Sequence, residues 1–293
     1  MRAWASVLVL LVASCGTGPA EARSVRGTTP RQGEKDMDTL KQQVLKDDPA
    51  AAVRARQIGR KAAPMLKDLA KHAEAGVRET ALNCLKETGG PEASQAALEA
   101  LADDDVQVAA AAVGVLQKHY DPKDSGPLLA GYDKCLHPLV RQELALLVGR
   151  GDKAADLAGL KKRRVAEKEA EAAEGAVVAL ARLGDKESQE EFVRQLHASK
   201  ERGRRRYLVD YVSYINAPWV LKPLLPLLDD KEVIVRIALD ARPDLDVNLR
   251  TCDVVVNQAA KISGRKFAFK VEEYKTYSDA EVDEARRFLK GLP

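Results

Sequence analysis

The chain has 293 residues and a formal net charge of +3, and 45% of its residues are hydrophobic, 4% aromatic and 31% charged. This near balance of charge produces no strong field of one sign, so we expect no nucleic-acid partner. The hydrophobic content is too high for disorder over most of the length, and no run of about 18 apolar residues follows the N-terminal region. The composition therefore favours a helical body and leaves its partner open.

The N-terminal region has the three-part pattern of a secretion signal: a positive charge at Arg2, an apolar stretch over 5–13 and small residues after it. Two processing sites compete. Residues 20–22 fit the small-x-small rule for cleavage before Arg23, which predicts a soluble periplasmic or secreted protein. Residues 12–15 match a bacterial lipobox, in which Cys15 becomes the lipidated N-terminus. We favour lipidation at Cys15, because the Gly-, Pro- and Thr-rich residues after it would serve as a tether.

Apolar or small residues recur in helical stripes, at steps of 30 to 33 residues along most of the chain. The stripes begin at Val77, Val108, Val140, Ala173, Arg205 and Val235. A second, shorter helical pattern lies between successive stripes, over 64–71, 93–102, 126–132, 156–162, 188–197 and 220–228. Each unit is therefore predicted to be a pair of helices, and stacking buries the faces that a single pair cannot bury. The predicted fold is an all-α solenoid of about six or seven stacked antiparallel helix pairs with a small C-terminal cap.

The repeats resemble HEAT repeats, specifically the short bacterial type that is similar to the phycobilisome-lyase repeat. The resemblance rests on the Val-Arg pairs at 77–78, 140–141 and 235–236 and on an Asp-x5-Arg spacing, and it covers about residues 40–262. It implies that an aspartate at each turn bonds the arginine of the next helix and sets the stack. The residues implied are Asp48, Arg54, Arg78, Arg141, Asp230 and Arg236. His72 and Cys135 replace the aspartate before Arg78 and Arg141, so the pairing is eroded there.

The end of the chain departs from the repeat. Pro243 is expected to end a helix that begins at Val235, and a helix over 249–262 is expected to stop at Ser263 and Gly264. Phe267, Phe269 and Val271 alternate as in an extended or strand-like segment, and residues 278–281 form a capping box that opens a final helix. The predicted organisation is a signal over 1–22, a flexible tether over 23–37, a solenoid over 38–264 and a cap over 265–293.

The sequence contains no recognisable catalytic motif. The four histidines are never three to five residues apart, and the chain has no nucleophile elbow, phosphate-binding loop or dinucleotide fingerprint. Cys84, Cys135 and Cys252 lie in predicted helices, where a free cysteine acts as a small hydrophobe. Acidic runs at 103–105 and 229–230 precede predicted helix starts, where carboxylates cap free N–H groups. We therefore expect no enzymatic activity, no metal and no cofactor.

Arginine and aromatic residues are concentrated between 202 and 219. The candidate partner-binding residues are Arg204, Arg205, Tyr207, Tyr211, Tyr214 and Trp219, because Tyr, Trp and Arg are enriched at binding hot spots. Two alternatives remain. The helix is buried more widely, with the tyrosine hydroxyls reaching the surface, or the arginines bind phosphate or anionic lipid headgroups.

The sequence as a whole indicates an exported bacterial scaffold, anchored to the membrane through lipidated Cys15, that binds a protein partner without catalysis. It would face the periplasmic side of the cell envelope. One alternative is a lyase-like or cofactor-handling protein, since phycobilin lyases share this repeat. Another is a structural envelope component that assembles with itself.

Overall fold

The computed structural model describes residues 30–121, 125–151, 154–237 and 247–293. Over these residues the chain forms fourteen α-helices and one small two-stranded sheet, which confirms the predicted all-α solenoid. None of the described helices is long and apolar enough to cross a bilayer. The signal sequence, Cys15 and Pro243 lie outside the described residues.

The elements follow in chain order. The α-helices are α1 (Pro30–Leu45), α2 (Ala50–Ile58), α3 (Ala63–Leu69), α4 (Ala75–Thr88), α5 (Pro91–Ala100), α6 (Val106–His119), α7 (Gly126–Lys134), α8 (Pro138–Val148), α9 (Ala154–Ala166), α10 (Ala170–Arg182), α11 (Lys186–Ala198), α12 (Arg202–Ile215), α13 (Thr251–Ser263) and α14 (Asp279–Lys290). The strands are β1 (Val233–Ile237) and β2 (Val247–Arg250). Helix α1 begins within the stretch expected to be a flexible tether, so that assignment is wrong from residue 30 onward.

Six helix pairs are stacked along the described chain, each made of an odd-numbered first helix and the even-numbered second helix after it, from α1–α2 to α11–α12. Five second helices begin after an extended N-cap residue, and these residues are 31 or 32 positions apart: Glu74, Asp105, His137, Glu169 and Glu201. Neighbouring second helices contact each other more extensively than neighbouring first helices do. The second helices therefore form the inner, more tightly curved layer.

After α12 the regular pairs end. The segment Lys222–Asp229 is a 3-10 helix with Pro226 inside it, because proline cannot donate the backbone hydrogen bond of an α-helix. The helix expected from Val235 is wrong: β-branched residues form β1, which pairs antiparallel with β2. Helix α13 follows β2 at once and ends at Gly264 in a left-handed conformation, at the predicted stop.

The C-terminal cap is a loop and a helix. The extended segment expected at Phe267, Phe269 and Val271 forms no strand. Phe267 instead stacks on Phe269 and meets Phe288 edge-on. Ser278 and Glu281 form the predicted capping box at the start of α14. Aromatic packing, rather than strand pairing, attaches this loop to α14.

The hydrophobic core consists of two clusters that adjoin where α8 packs on α10. Helix α10 is buried on nearly every side and consists mainly of alanine, glycine and valine. A Cβ atom on Gly175 would lie 2.7 Å from Cγ and 2.8 Å from the carbonyl oxygen of Gln142. Glycine at this position therefore lets α10 approach the backbone of α8.

Replacing Gly175 with alanine is expected to destabilise the protein by about 2 kcal/mol, because the new methyl group overpacks the junction between α8 and α10. Gly114 in α6 is a matched control. Its nearest neighbour would be Lys86 Nζ at 3.6 Å, so Gly114→Ala should stabilise by up to about 1 kcal/mol through helix propensity. Urea unfolding followed by circular dichroism compares the two variants. If both variants changed the free energy of unfolding in the same direction, the close packing of α10 on α8 would be contradicted.

Candidate functional site

The six predicted partner-binding residues do not form one exposed surface. Tyr211 and Tyr214 reach over α10 to α8, where Gln142 Nε2 donates to the Tyr211 hydroxyl at 2.9 Å and the Tyr214 hydroxyl donates to the carbonyl oxygen of Leu146 at 2.6 Å. Burial raises the pKa of both tyrosines. The expectation that these two tyrosines bind a partner is therefore wrong, because the small side chains of α10 let them reach α8.

The other members of the predicted patch divide between packed and exposed positions. Trp219 is half-buried and packs edge-on against Phe192, with ring centroids 6.4 Å apart. Arg204 forms an ion pair with Glu174 yet keeps 43% of its side chain exposed, and Tyr207 is 38% exposed. Of the predicted patch, Arg204 and Tyr207 are the residues that a partner could reach.

Arg205 belongs to the repeat junction. Its guanidinium donates to Asp230 at 2.5 Å and to Glu232 at 2.9 Å, and also to the carbonyl oxygen of Ser199. It is 13% exposed at the side chain. Arg205 is therefore a stacking residue, and the assignment of this residue to a partner surface is wrong.

The same arrangement occurs at Arg78 and Arg141, and we call each of the three a junction clamp. Arg78 makes two hydrogen bonds to Asp103, at 2.7 and 2.8 Å, and Arg141 makes two to Glu167, both at 2.9 Å. In each clamp the arginine also donates to the carbonyl oxygen of the residue six positions before it. The carboxylate of each clamp accepts the backbone N–H of the residue two positions after it. Each clamp thus joins one second helix to the turn before the second helix of the next unit or, for Arg205, to the turn before β1.

The predicted Asp-x5-Arg pairing is therefore replaced by a longer connection. The partner of Asp230 is Arg205 rather than Arg236, whose side chain is exposed on β1. Asp48 and Arg54 are linked indirectly, because Gln43 donates to Asp48 and accepts from Arg54. Arg78, Arg141 and Asp230 each take part in a clamp between neighbouring units, with partners other than those expected.

The clamps occur at every second junction. At the two intervening second helices, Ala109 and Ala173 occupy the position equivalent to the clamp arginine. Two kinds of turn therefore alternate along the stack. One kind supplies a carbonyl oxygen to a clamp and precedes α4, α8 and α12. The other kind supplies a carboxylate and precedes α6, α10 and β1. The pattern of clamps therefore repeats once every two helix pairs.

Reactive side chains in the described residues have structural contacts. Three histidines lie within hydrogen-bond distance of carbonyl oxygens in neighbouring units: His119 with Lys86, His137 with Asp103 and His197 with Pro223. Cys84, Cys135 and Cys252 are buried and free, and burial raises the pKa of Cys84 to about 12. Among the described residues no three metal-binding side chains come together.

Large aliphatic side chains are exposed along the edge where the second helices begin. Leu136 and Leu139 flank the start of α8 and are 64% and 43% exposed, and Val165, near the end of α9, is 89% exposed. The clamp between Arg141 and Glu167 ties the start of α8 to the residues just after α9, so all three lie on one edge. We call Leu136, Leu139 and Val165 the edge patch.

Sequence reasoning missed the edge patch, although the repeat contains a signal for it. Immediately before the N-cap, where α8 has Leu136, the other second helices have Ala73, Asp104, Lys168 and Lys200. Two positions after the N-cap, where α8 has Leu139, they have Gly76, Gln107, Glu171 and Gly203. Large aliphatic residues therefore replace small or polar ones at both positions in a single unit.

Comparison with known proteins agrees with the helix-pair geometry. A family model for HEAT repeats matches residues 37–117 and 62–149, which include α2 to α8. A comparison with curated proteins found no match. The same pairing of first and second helices continues through α12, and the clamp at Arg205 joins the same positions of the repeat as those at Arg78 and Arg141. Residues 37–149 therefore consist of HEAT repeats, and the helix pairs after them have the same arrangement.

Proposed function

We propose that this protein is a non-catalytic scaffold that holds a protein partner at the edge patch and acts on the periplasmic side of a bacterial cell envelope. HEAT repeats suggest an interaction scaffold. The observation that carries the proposal is the exposure of Leu136, Leu139 and Val165 on one edge. Exposed apolar side chains on one edge, two of them at positions where the other units have small or polar residues, are typical of a docking site for another protein.

Two further observations support the proposal: one bears on binding and the other on the absence of catalysis. Tyr207 and Arg204 are exposed near the start of α12, which lies on the same edge of the solenoid as the start of α8, and both residue types are common in binding hot spots. The buried thiols have raised pKa values, so they stay protonated and are poor nucleophiles. The envelope part of the proposal rests on the signal pattern and Cys15.

Photocrosslinking in the native bacterium tests the docking site. A photoreactive amino acid at position 165 is expected to give one defined product with another protein, and the double variant Leu136→Asp/Leu139→Asp should abolish that product. Val53→Asp is the matched control, because Val53 is an exposed aliphatic residue on α2, far along the stack. A product that survives both variants equally would contradict the proposal, and a product between two copies of this chain would favour self-assembly instead.

The mass of the mature N-terminus tests the envelope assignment separately. Expression of the full chain with its own signal in a Gram-negative host should give an acylated Cys15. An unmodified start at Arg23 would instead indicate a soluble exported form. Neither result depends on whether the edge patch binds a partner, so the two parts of the proposal can fail independently.

A further inference from the structure

The C-terminal end of the solenoid carries a second surface of a different kind. The last turns of α13 and α14 and the two residues after Gly264 carry five exposed cations. These residues, which we call the basic end, are Lys261, Arg265, Lys266, Arg287 and Lys290. The ends of the two helices lie together, because Arg265, Arg287, Phe288 and Leu292 line one open cavity of about 410 Å³.

The cations of the basic end differ from their neighbours in having no ion pair with any carboxylate that the structure describes. Elsewhere in the same region basic side chains are paired: Arg250 with Asp253, Lys275 with Glu281 and Arg286 with Asp229. The one acid that lines the cavity, Glu284, accepts the backbone N–H of Ala268 at 2.9 Å. Five cations beside this one carboxylate leave the basic end with a net positive charge.

The guanidinium group of Arg265 has a defined position. It lies 4.8 Å from the ring centroid of Phe288 and 5.8 Å from that of Phe267. Stacking on aromatic faces fixes the planar donor group and leaves its N–H groups free for an oxyanion. Favourable interaction with the helix dipoles accounts for cations in the last turns, but Arg265 and Lys266 lie beyond the end of α13.

We propose that the basic end docks on a membrane surface that contains anionic phospholipids. Clusters of four to eight cations with few acids among them are the composition that binds such surfaces. The cavity is wide open, and Phe288 and Leu292 place apolar groups beside the guanidinium groups, as the boundary between headgroups and acyl chains requires. An acidic peptide would be expected to lie in an enclosed groove, whereas these cations surround the end of two helices.

This inference goes beyond the proposed scaffold and stands on different residues. The basic end lies on the last two helices, α13 and α14, whereas α1 is the first helix of the stack. The two ends of the stack are therefore separate. A membrane contact at the C-terminal end would hold the solenoid along the bilayer and leave the edge patch to a protein partner. Lipid binding can therefore be present or absent whatever the edge patch does.

Vesicle flotation tests the basic end, using the full chain with Cys15→Ser so that no acyl chain dominates binding. Partitioning is measured on vesicles of phosphatidylcholine alone and with phosphatidylglycerol added. The apolar residues 5–13 would bind both kinds alike, so the difference between the vesicles is the readout. The chain is expected to prefer the anionic vesicles, and added salt should weaken that preference.

The triple variant Lys266→Gln/Arg287→Gln/Lys290→Gln should lower this preference roughly fivefold for each cation removed, on the order of 100-fold in total. The matched control is Lys41→Gln/Lys46→Gln/Lys61→Gln, which removes the same charge from exposed positions at the other end of the stack. Circular dichroism verifies that both variants are folded.

An equal loss in both triple variants would show a general charge effect and overturn the proposal. Equal binding of the unsubstituted chain to both kinds of vesicle would overturn it too. So would preferential binding of polyglutamate with no gain on anionic vesicles, since that result assigns the basic end to an acidic protein segment.

Discussion

Replacing Asp253 with alanine is expected to lower the free energy of unfolding by about 3 to 5 kcal/mol, the cost of removing one partner of a buried ion pair. Asp253 is fully buried and accepts four hydrogen bonds from nitrogen donors. Three come from Arg250, through its backbone N–H and two guanidinium nitrogens, and the fourth comes from the backbone N–H of Tyr277. Asp253 thus connects β2, α13 and the loop before α14.

The prediction has a control with the same spacing of acid and arginine. Asp283 pairs with Arg286 three residues away, but Asp283 is 58% exposed, so Asp283→Ala should change the free energy by less than about 1 kcal/mol. The double variant Arg250→Ala/Asp253→Ala should cost less than the sum of the two single variants, because it leaves no unpaired charge. Urea unfolding measures all of these variants, and additive losses would contradict the buried pair.

The repeat units could be predicted from sequence because the same constraint recurs in each. A helix that packs against two neighbours needs apolar residues at fixed spacing, and those at Val77, Val108 and Val140 marked the second helices directly. The end of the array was predicted wrongly at Val235. There a short β-branched run next to proline-rich turns favours a strand, and the repeat period alone did not reveal this local preference.

The junction clamps could not be predicted from local spacing. Each arginine pairs with a carboxylate in the next unit, 25 or 26 residues ahead, while the position six before it supplies only a backbone carbonyl. Any residue type can supply that carbonyl, which is why His72, Cys135 and Ser199 serve equally well. Each arginine therefore still joins two units, although its carboxylate partner differs from the one that the Asp-x5-Arg pattern predicts.

The candidate site was predicted only in part, because accessibility depends on the neighbouring helices. Tyr211 and Tyr214 were expected to bind a partner, but the alanine- and glycine-rich α10 beside them lets both hydroxyls reach α8. A bulkier α10 would have left both tyrosines on the surface. The edge patch, in contrast, is visible only when the turns of different units are compared position by position.

The clamp between Arg141 and Glu167 is expected to make stability depend on pH in the acid range. Burial raises the pKa of Glu167, but hydrogen bonds from Arg141, Tyr132 and the backbone N–H of Glu169 lower it more, from an ordinary 4.5 to about 2. Because the folded pKa is below the unfolded one, unfolding takes up a proton in this range. The stabilisation is complete above about pH 4.5 and is lost as the pH falls towards 2.

Glu167→Gln is accordingly expected to cost about 3 kcal/mol at pH 7, since glutamine resembles the protonated acid and Glu167 is only 6% exposed at its side chain. The difference between the variant and the unsubstituted protein should shrink steadily below pH 4.5, as the native carboxylate becomes protonated. Glu171→Gln, an exposed change in the first turn of α10, should alter stability at pH 7 by less than about 0.5 kcal/mol. Urea unfolding at a series of pH values measures this difference, and a gap that stays constant down to pH 3 would show that Glu167 stabilises the junction by packing rather than by its charge.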